Sequence, residues 1–103
     1  MNLNLDLVHE STLVGAVDSF LKELVHVRPS LVQRYAAVLE GMTERWLQEN
    51  GINELYAIDA EWIATYIAES TDQRVTLTAL QEFYRWATQG NLIAKNPLLA
   101  TGE

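Results

Sequence analysis

From Val75 to Ala87 the chain sets Val75, Leu77, Ala79, Leu80, Phe83, Tyr84, Trp86 and Ala87 within an arc of about 200° when turned at 100° per residue. A helix that is apolar over more than half its girth cannot rest on a surface, so several other elements must enclose it. The rest of the sequence supplies helices for that purpose. Leu13, Val17, Phe20 and Leu24 follow helical spacing and predict a first helix near 11–25, with Gly15 weakening it modestly. Ser30 followed three residues later by Gln33 has the form of a capping box, which opens a second helix over 30–50. Its inner stripe is Tyr35, Leu39, Met42 and Trp46, and Gly51 is the expected left-handed terminator. Asp59 caps a third helix over 59–69, with Glu61 near its positive end and Ile63, Tyr66 and Ile67 turned inward.

The fourth helix starts between Ser70 and Thr76 and stops at Gly90, giving 72–89, and Leu55 and Ile58 anchor the connection that precedes the third. Leu3, Leu5 and Leu7 alternate with polar residues, a strand-like pattern too short to build a sheet, so residues 1–10 are expected to form an extended arm. The expected fold is all-α: one bundle of four main helices over 11–97, with 98–103 as a tail or the start of an interdomain linker. Its core is expected to hold Tyr35, Leu39, Trp46, Ile63, Ile67, Leu80, Phe83 and Tyr84.

Charge bears on what such a bundle can bind. Seven Lys and Arg against fourteen Asp and Glu leave a net charge of −7, which opposes non-specific binding to a polyanion. Residues 1–27 carry −3, residues 28–58 carry −1 and residues 59–103 carry −3, so no acidic tail accounts for the excess and any basic patch must be local. The chain has no cysteine, hence neither disulfides nor thiolate metal sites, and an intracellular setting is expected. No apolar run approaches the roughly 20 residues that span a bilayer. The first ten residues lack the basic start and apolar centre of a signal peptide, and a soluble cytoplasmic protein is expected.

Side chains with chemical potential are few. His9 and His26 stand 17 residues apart near Glu10 and Asp18, without the tight spacing of metal ligands, so neither metal nor cofactor is expected. Acid pairs such as Glu40 with Glu44, or Asp6 with Glu10, read as solvated surfaces rather than as a general acid and base. Tyr35, Trp46, Trp62, Tyr66, Phe83, Tyr84 and Trp86 fall mostly on apolar faces, which makes them core residues before base-stacking platforms. The fourth helix carries the cleanest polar arc: Arg74, Thr78, Gln81, Glu82, Arg85, Thr88 and Gln89. Within it Arg74, Thr78, Gln81 and Arg85 follow i, i+4, i+7, i+11, with a local charge of +2 that falls to +1 when Glu82 is counted. Arginine and glutamine are the side chains that hydrogen-bond guanine and adenine edges in pairs, and threonine suits a phosphate or a thymine methyl. An ordinary solvated helix face carries such residues too. Arg34, with Gln33 beside it on the first turn of the second helix, is the auxiliary candidate for a phosphate contact.

From Ser30 to Pro97 the landmarks run in a recognisable order. Tyr35, Trp46, Leu47 and Gly51 are followed by Leu55, Ile58 and Asp59, then Tyr66 and Ile67, then Leu77, Ala79, Leu80, Phe83, Tyr84, Trp86, Gly90, Ile93, Asn96 and Pro97. This ordered set, covering roughly two-thirds of the chain, resembles the N-terminal SAM-like core-binding domain of tyrosine recombinases and phage integrases. The resemblance implies a domain that closes over duplex DNA opposite a catalytic domain, with its second and fourth helices directed at the major groove and the adjoining phosphates. It also implies DNA integration or recombination as the setting, and a catalytic domain in cis as partner.

Two departures fall on that DNA side: the connection between the third and fourth helices is shorter, and Val75, Thr76 and Gln81 occupy positions that are usually basic. Strand cleavage in that family needs a tyrosine nucleophile among clustered arginines, a lysine and histidines, and this sequence stops six residues after Pro97, where the linker to that half would begin. The expectation is a non-catalytic clamp, either an excised domain or a stand-alone relative. The alternative is an acidic helical protein-interaction module on the same scaffold.

Overall fold

The computed structural model describes residues 12–98. Their elements are helix α1 (Leu13–Val27), a 3-10 turn (Pro29–Leu31), α2 (Val32–Asn50), a second 3-10 turn (Leu55–Ala57), α3 (Ala60–Glu69) and α4 (Gln73–Gln89). Among the described residues there is no strand, so the all-α expectation holds with four main helices. The expected arm at 1–10, with Asp6, His9 and Glu10, lies outside the described residues, as do 99–103.

α1 begins where two side chains satisfy its first amides. The Thr12 hydroxyl accepts from the Gly15 N–H at 3.0 Å, and Asn53 Oδ1 accepts from the Val14 N–H at 3.0 Å, which ties this end to the α2–α3 connection. Leu13, Val17, Phe20 and Leu24 are all buried, as their spacing predicts.

The start of α2 differs from expectation. Ser30 and Gln33 form no capping box: Pro29 fixes φ for a 3-10 turn, the Leu31 N–H bonds the Arg28 carbonyl at 3.0 Å, and the backbone runs on into α2 without a side-chain cap. Ser30 thus lies inside the turn, where its hydroxyl does not meet the first α-helical amides. Tyr35, Leu39, Met42 and Trp46 form the buried stripe as read. Gly51 at φ 69° ends the helix, its N–H bonding the Leu47 carbonyl at 2.8 Å.

Trp46 Nε1 then donates to the Ile52 carbonyl at 2.8 Å and holds the connection against the core, where Leu55 and Ile58 are buried. Asp59 caps α3 by accepting from the Trp62 N–H at 2.7 Å. Ile63 is the fully buried residue of this short helix, whereas Tyr66 and Ile67 are only partly covered. That corrects the placement of Ile67 in the core: a ten-residue helix at the margin of the bundle has one turn deep enough for complete burial.

Asp72 caps α4 through the Val75 N–H at 3.2 Å, and α4 packs against each of the other three helices. Thr76, Ala79, Leu80, Phe83, Tyr84 and Ala87 are buried. Leu77 departs from the expected arc at 37% exposure, because it lies at the arc's very edge while Thr76 lies near its centre. After the cap at Gly90 the left-handed residue is Asn91 at φ 63°, and the Leu92 N–H returns to the Ala87 carbonyl at 2.9 Å. Ile93 and Leu98 fold back onto the core. Among the described residues no helix is long and apolar enough to cross a membrane.

Phe83 is completely buried and meets Phe20 edge-on, ring centroids 5.6 Å apart. Phe83→Ala is therefore expected to lower unfolding free energy by about 3–5 kcal/mol in a urea titration. An unchanged midpoint would place this ring outside the core. Gly51→Ala is expected to cost about 1 kcal/mol by the same measurement, since alanine resists the left-handed backbone.

Candidate nucleic-acid interface

The polar stripe of α4 faces outward. Arg74, Gln81 and Arg85 are exposed and Thr78 is half-buried, on the side of the helix opposite Ala79, Leu80 and Phe83. At 1.5 Å per residue the stripe from Arg74 to Arg85 runs roughly 16 Å, enough to follow several base pairs along a groove. Gln33 and Arg34, on the first turn of α2, are exposed as well.

Ion pairing sorts the cations. All seven lysines and arginines lie within the described residues. Lys22 is paired with Asp18 at 3.1 Å, Arg28 with Glu82 at 3.6 Å, and Arg45 with both Glu49 at 3.0 Å and Glu69. Arg34, Arg74, Arg85 and Lys95 have no such carboxylate partner among the described residues. Three of these four are the cations that the sequence singles out. A free guanidinium keeps all its donors for an incoming phosphate or base edge, whereas Arg45 would first have to leave two carboxylates.

The surroundings divide the stripe into two ends. At the α4 N-terminus a groove of about 710 Å³ brings Arg34 together with Ser70, Thr71, Asp72, Val75 and Thr76. Tyr66 and Arg45 close its far side. The Tyr66 hydroxyl donates to the Val38 carbonyl at 2.9 Å, a reach that Gly41 permits, because a Cβ there would stand 2.9 Å from that oxygen. Trp62 stacks on Tyr66 with centroids 5.6 Å apart and an interplanar angle of 6°, and its Nε1 donates to Glu49 at 2.8 Å. These rings are held in place by packing and hydrogen bonds at the margin of the core, not inside it as the sequence led one to expect. At the other end Gln81 and Arg85 share a smaller groove with Thr88, Gln89 and Asn96. Arg74, Thr78 and Gln33 line neither groove.

One element of the interface was not legible in the sequence. Glu82 sits inside the stripe and is engaged by Arg28 from the end of α1, 54 residues away in the chain. Burial pushes the Tyr35 phenol up, Glu82 adds to that, and Arg28 and Arg34 act against it, so these three charges share one neighbourhood. Arg28 thereby neutralises the carboxylate that would otherwise repel a phosphate beside Arg85. Its position in the loop before Pro29 carries no local signal of this role. Among the described residues no three of His, Cys, Asp and Glu gather as metal ligands do.

The chain matches no family model, no curated protein and no solved structure.

Glu49 is held below the ordinary glutamate value, first by the hydrogen bond from Trp62 and then by Arg45. A carboxyl lowered by folding stabilises the native state above its unfolded value and loses that contribution as pH falls through the folded one. Thermal midpoints are therefore expected to decline as pH drops below about 5, and Glu49→Gln is expected to flatten part of that decline. Identical acid profiles for the two proteins would show that the Trp62 and Arg45 contacts do not persist in solution.

Proposed function

We propose that this chain is a non-catalytic DNA-gripping domain of the SAM-like core-binding kind, acting as one arm of a clamp in a site-specific tyrosine recombinase or integrase. The observation that carries the reading is the coincidence of charge and geometry on α4: Arg74, Thr78, Gln81 and Arg85 lie on one outward face, and neither arginine has a carboxylate partner among the described residues. The ordered landmarks from Ser30 to Pro97 supply the family expectation. In this reading Gln81 and Arg85 approach base edges, Arg74 and Thr78 approach the backbone, and Arg34 with Gln33 adds a phosphate contact from α2. Asp72 precedes the stripe, and together with the net charge of −7 it makes duplex binding by the chain alone weak. Cleavage chemistry belongs to a catalytic domain in cis.

Few phosphate contacts imply a shallow salt dependence, with log K against log salt sloping at roughly −2 to −3 for about three neutralised phosphates. Replacing Arg74 and Arg85 together by alanine is expected to abolish the binding measured by fluorescence anisotropy of a labelled duplex. Lys22→Ala, on an α1 cation already paired with Asp18, is expected to leave it unchanged. Amide shifts on adding duplex are expected to cluster at Arg74, Thr78, Gln81 and Arg85. A nicked suicide substrate is expected to give no covalent adduct with this chain, and an adduct would end the non-catalytic reading.

The net charge of −7 favours a second reading, a protein-interaction module that has lost its DNA duty. Absence of any shift on the α4 stripe at millimolar duplex and low salt would end the clamp reading and leave that alternative to be taken up.

A further inference from the structure

A large apolar concavity adjoins the C-terminal end of the arginine stripe, sharing Thr88 and Asn96 with the smaller groove there. Its volume is about 780 Å³, within the range of small-molecule sites. One wall is the α2–α3 connection, with Leu55, Tyr56 and Ile58, and the other is the segment after α4, with Ile93, Lys95 and Pro97. Tyr84 and Thr88 of α4 form the floor between them.

The polar groups on this groove are not equivalent. The Thr88 hydroxyl is used, donating to the Tyr84 carbonyl at 2.7 Å, and Asn96 Oδ1 accepts from the Leu98 N–H at 2.9 Å. At the rim the neighbouring Glu54 carboxylate pushes the Tyr56 phenol up. Among the described residues two ionisable groups of the groove have no hydrogen-bond or ion-pair partner: the Lys95 ammonium, and the Tyr84 hydroxyl, a buried side-chain oxygen exposing less than 1 Å². A buried hydroxyl without a partner costs about 1–3 kcal/mol, and such groups in folded proteins call for an explanation. Burial also pushes the Tyr84 phenol well up, so it stays protonated and able to donate. Both unpartnered groups are therefore donors, set in an otherwise apolar groove.

We infer that this groove binds a linear aliphatic carboxylate, its hydrocarbon chain lying on Leu55, Ile58, Ile93 and Pro97 and its head group accepting from Lys95 and, after a small shift of the ring, from Tyr84. An apolar body fits walls built largely of Leu55, Ile58, Ile93 and Pro97. An anionic head fits a site whose free charge is a single lysine. A neutral alkane or alcohol leaves the ammonium unanswered, and a cationic amphiphile meets it as a like charge. No arginine lines the site, although it shares Thr88 and Asn96 with the groove of Gln81 and Arg85.

The test is a titration of the 15N-labelled full chain with decanoate, decanol and decyltrimethylammonium, each below the concentration at which it forms micelles. Decanoate is expected to give saturable shifts at the amides of Leu55, Ile58, Ile93 and Lys95. Decanol is expected to bind roughly tenfold more weakly and the ammonium compound not to saturate, in line with the greater strength of charge-assisted hydrogen bonds. Lys95→Gln, an exposed change with no packing role, is expected to weaken decanoate about 3-fold to 10-fold, and Tyr84→Phe by a similar factor. Tyr84→Phe is also expected to keep or raise the unfolding midpoint, because it removes a hydroxyl that has no partner.

Shifts that never saturate, or that spread over other faces, overturn the site. Equal affinity for the three amphiphiles, or affinity indifferent to both substitutions, overturns the head-group assignment and leaves a plain apolar surface.

Discussion

Phe83 sits at the point where α4 passes the other helices, with no exposure, and its ring meets Phe20 of α1 at 5.6 Å and Tyr84 at 5.0 Å. Trp86, one turn on, reaches Phe20 at 5.5 Å and anchors its indole N–H on Glu23 at 3.1 Å. This contact does more than fill space. It sets the rotation of α4 about its own axis, because edge-on aromatic pairs tolerate little sliding without losing both area and quadrupole attraction. Once that rotation is set, Arg74, Thr78, Gln81 and Arg85 have one direction left, and it is outward. The candidate interface is thus a by-product of the core: the side chains that bind nothing in the fold are presented because those that do bind hold the opposite face.

The same dependence governs the charges. An acidic chain offers carboxylates to most of its cations, and the fold brings Glu49 and Glu69 to Arg45 and Glu82 to Arg28. Such pairs near the surface add little stability, about 0–1 kcal/mol each, but they decide which cations stay available. Arg45 is committed to the α2–α3 contact, where Trp62 and Tyr66 stack beside it. Arg28 is committed to suppressing Glu82. What remains uncommitted among the described residues is the α4 pair, Arg34 and Lys95; the α4 pair lies on the face that also carries Gln81 and Thr78, and Arg34 lies on the groove at the α4 N-terminus. The fourth lies on the apolar groove, in a different chemical setting.

Most of the helical layout was legible because its signals are local. Asp59 caps through an amide three residues on, Gly51 ends α2 within its own turn, and the stripes of α1, α2 and α4 follow from spacing alone. Where local rules competed, the reading failed. Ser30 had the form of an N-cap, but Pro29 one residue earlier imposed a 3-10 turn, and ring geometry outweighed a hydroxyl bond. Ile67 had the periodicity of a core residue, but burial depends on where a helix lies in the bundle, which spacing does not encode.

By itself the sequence determined the number and type of helices, their caps at Asp59 and Gly51, the buried stripes, and the polar face on α4, because each depends on residues within one or two turns of one another. Only the tertiary structure decided which cations are free, that Glu82 is answered by Arg28, and that Tyr84 lies unpartnered beneath an apolar groove walled by residues 55–58 and 93–97. The physical reason is range. Backbone capping and helical periodicity act over a few ångströms along the chain, whereas ion pairing and burial are set by distances through space between segments whose approach is decided by the packing of the whole core.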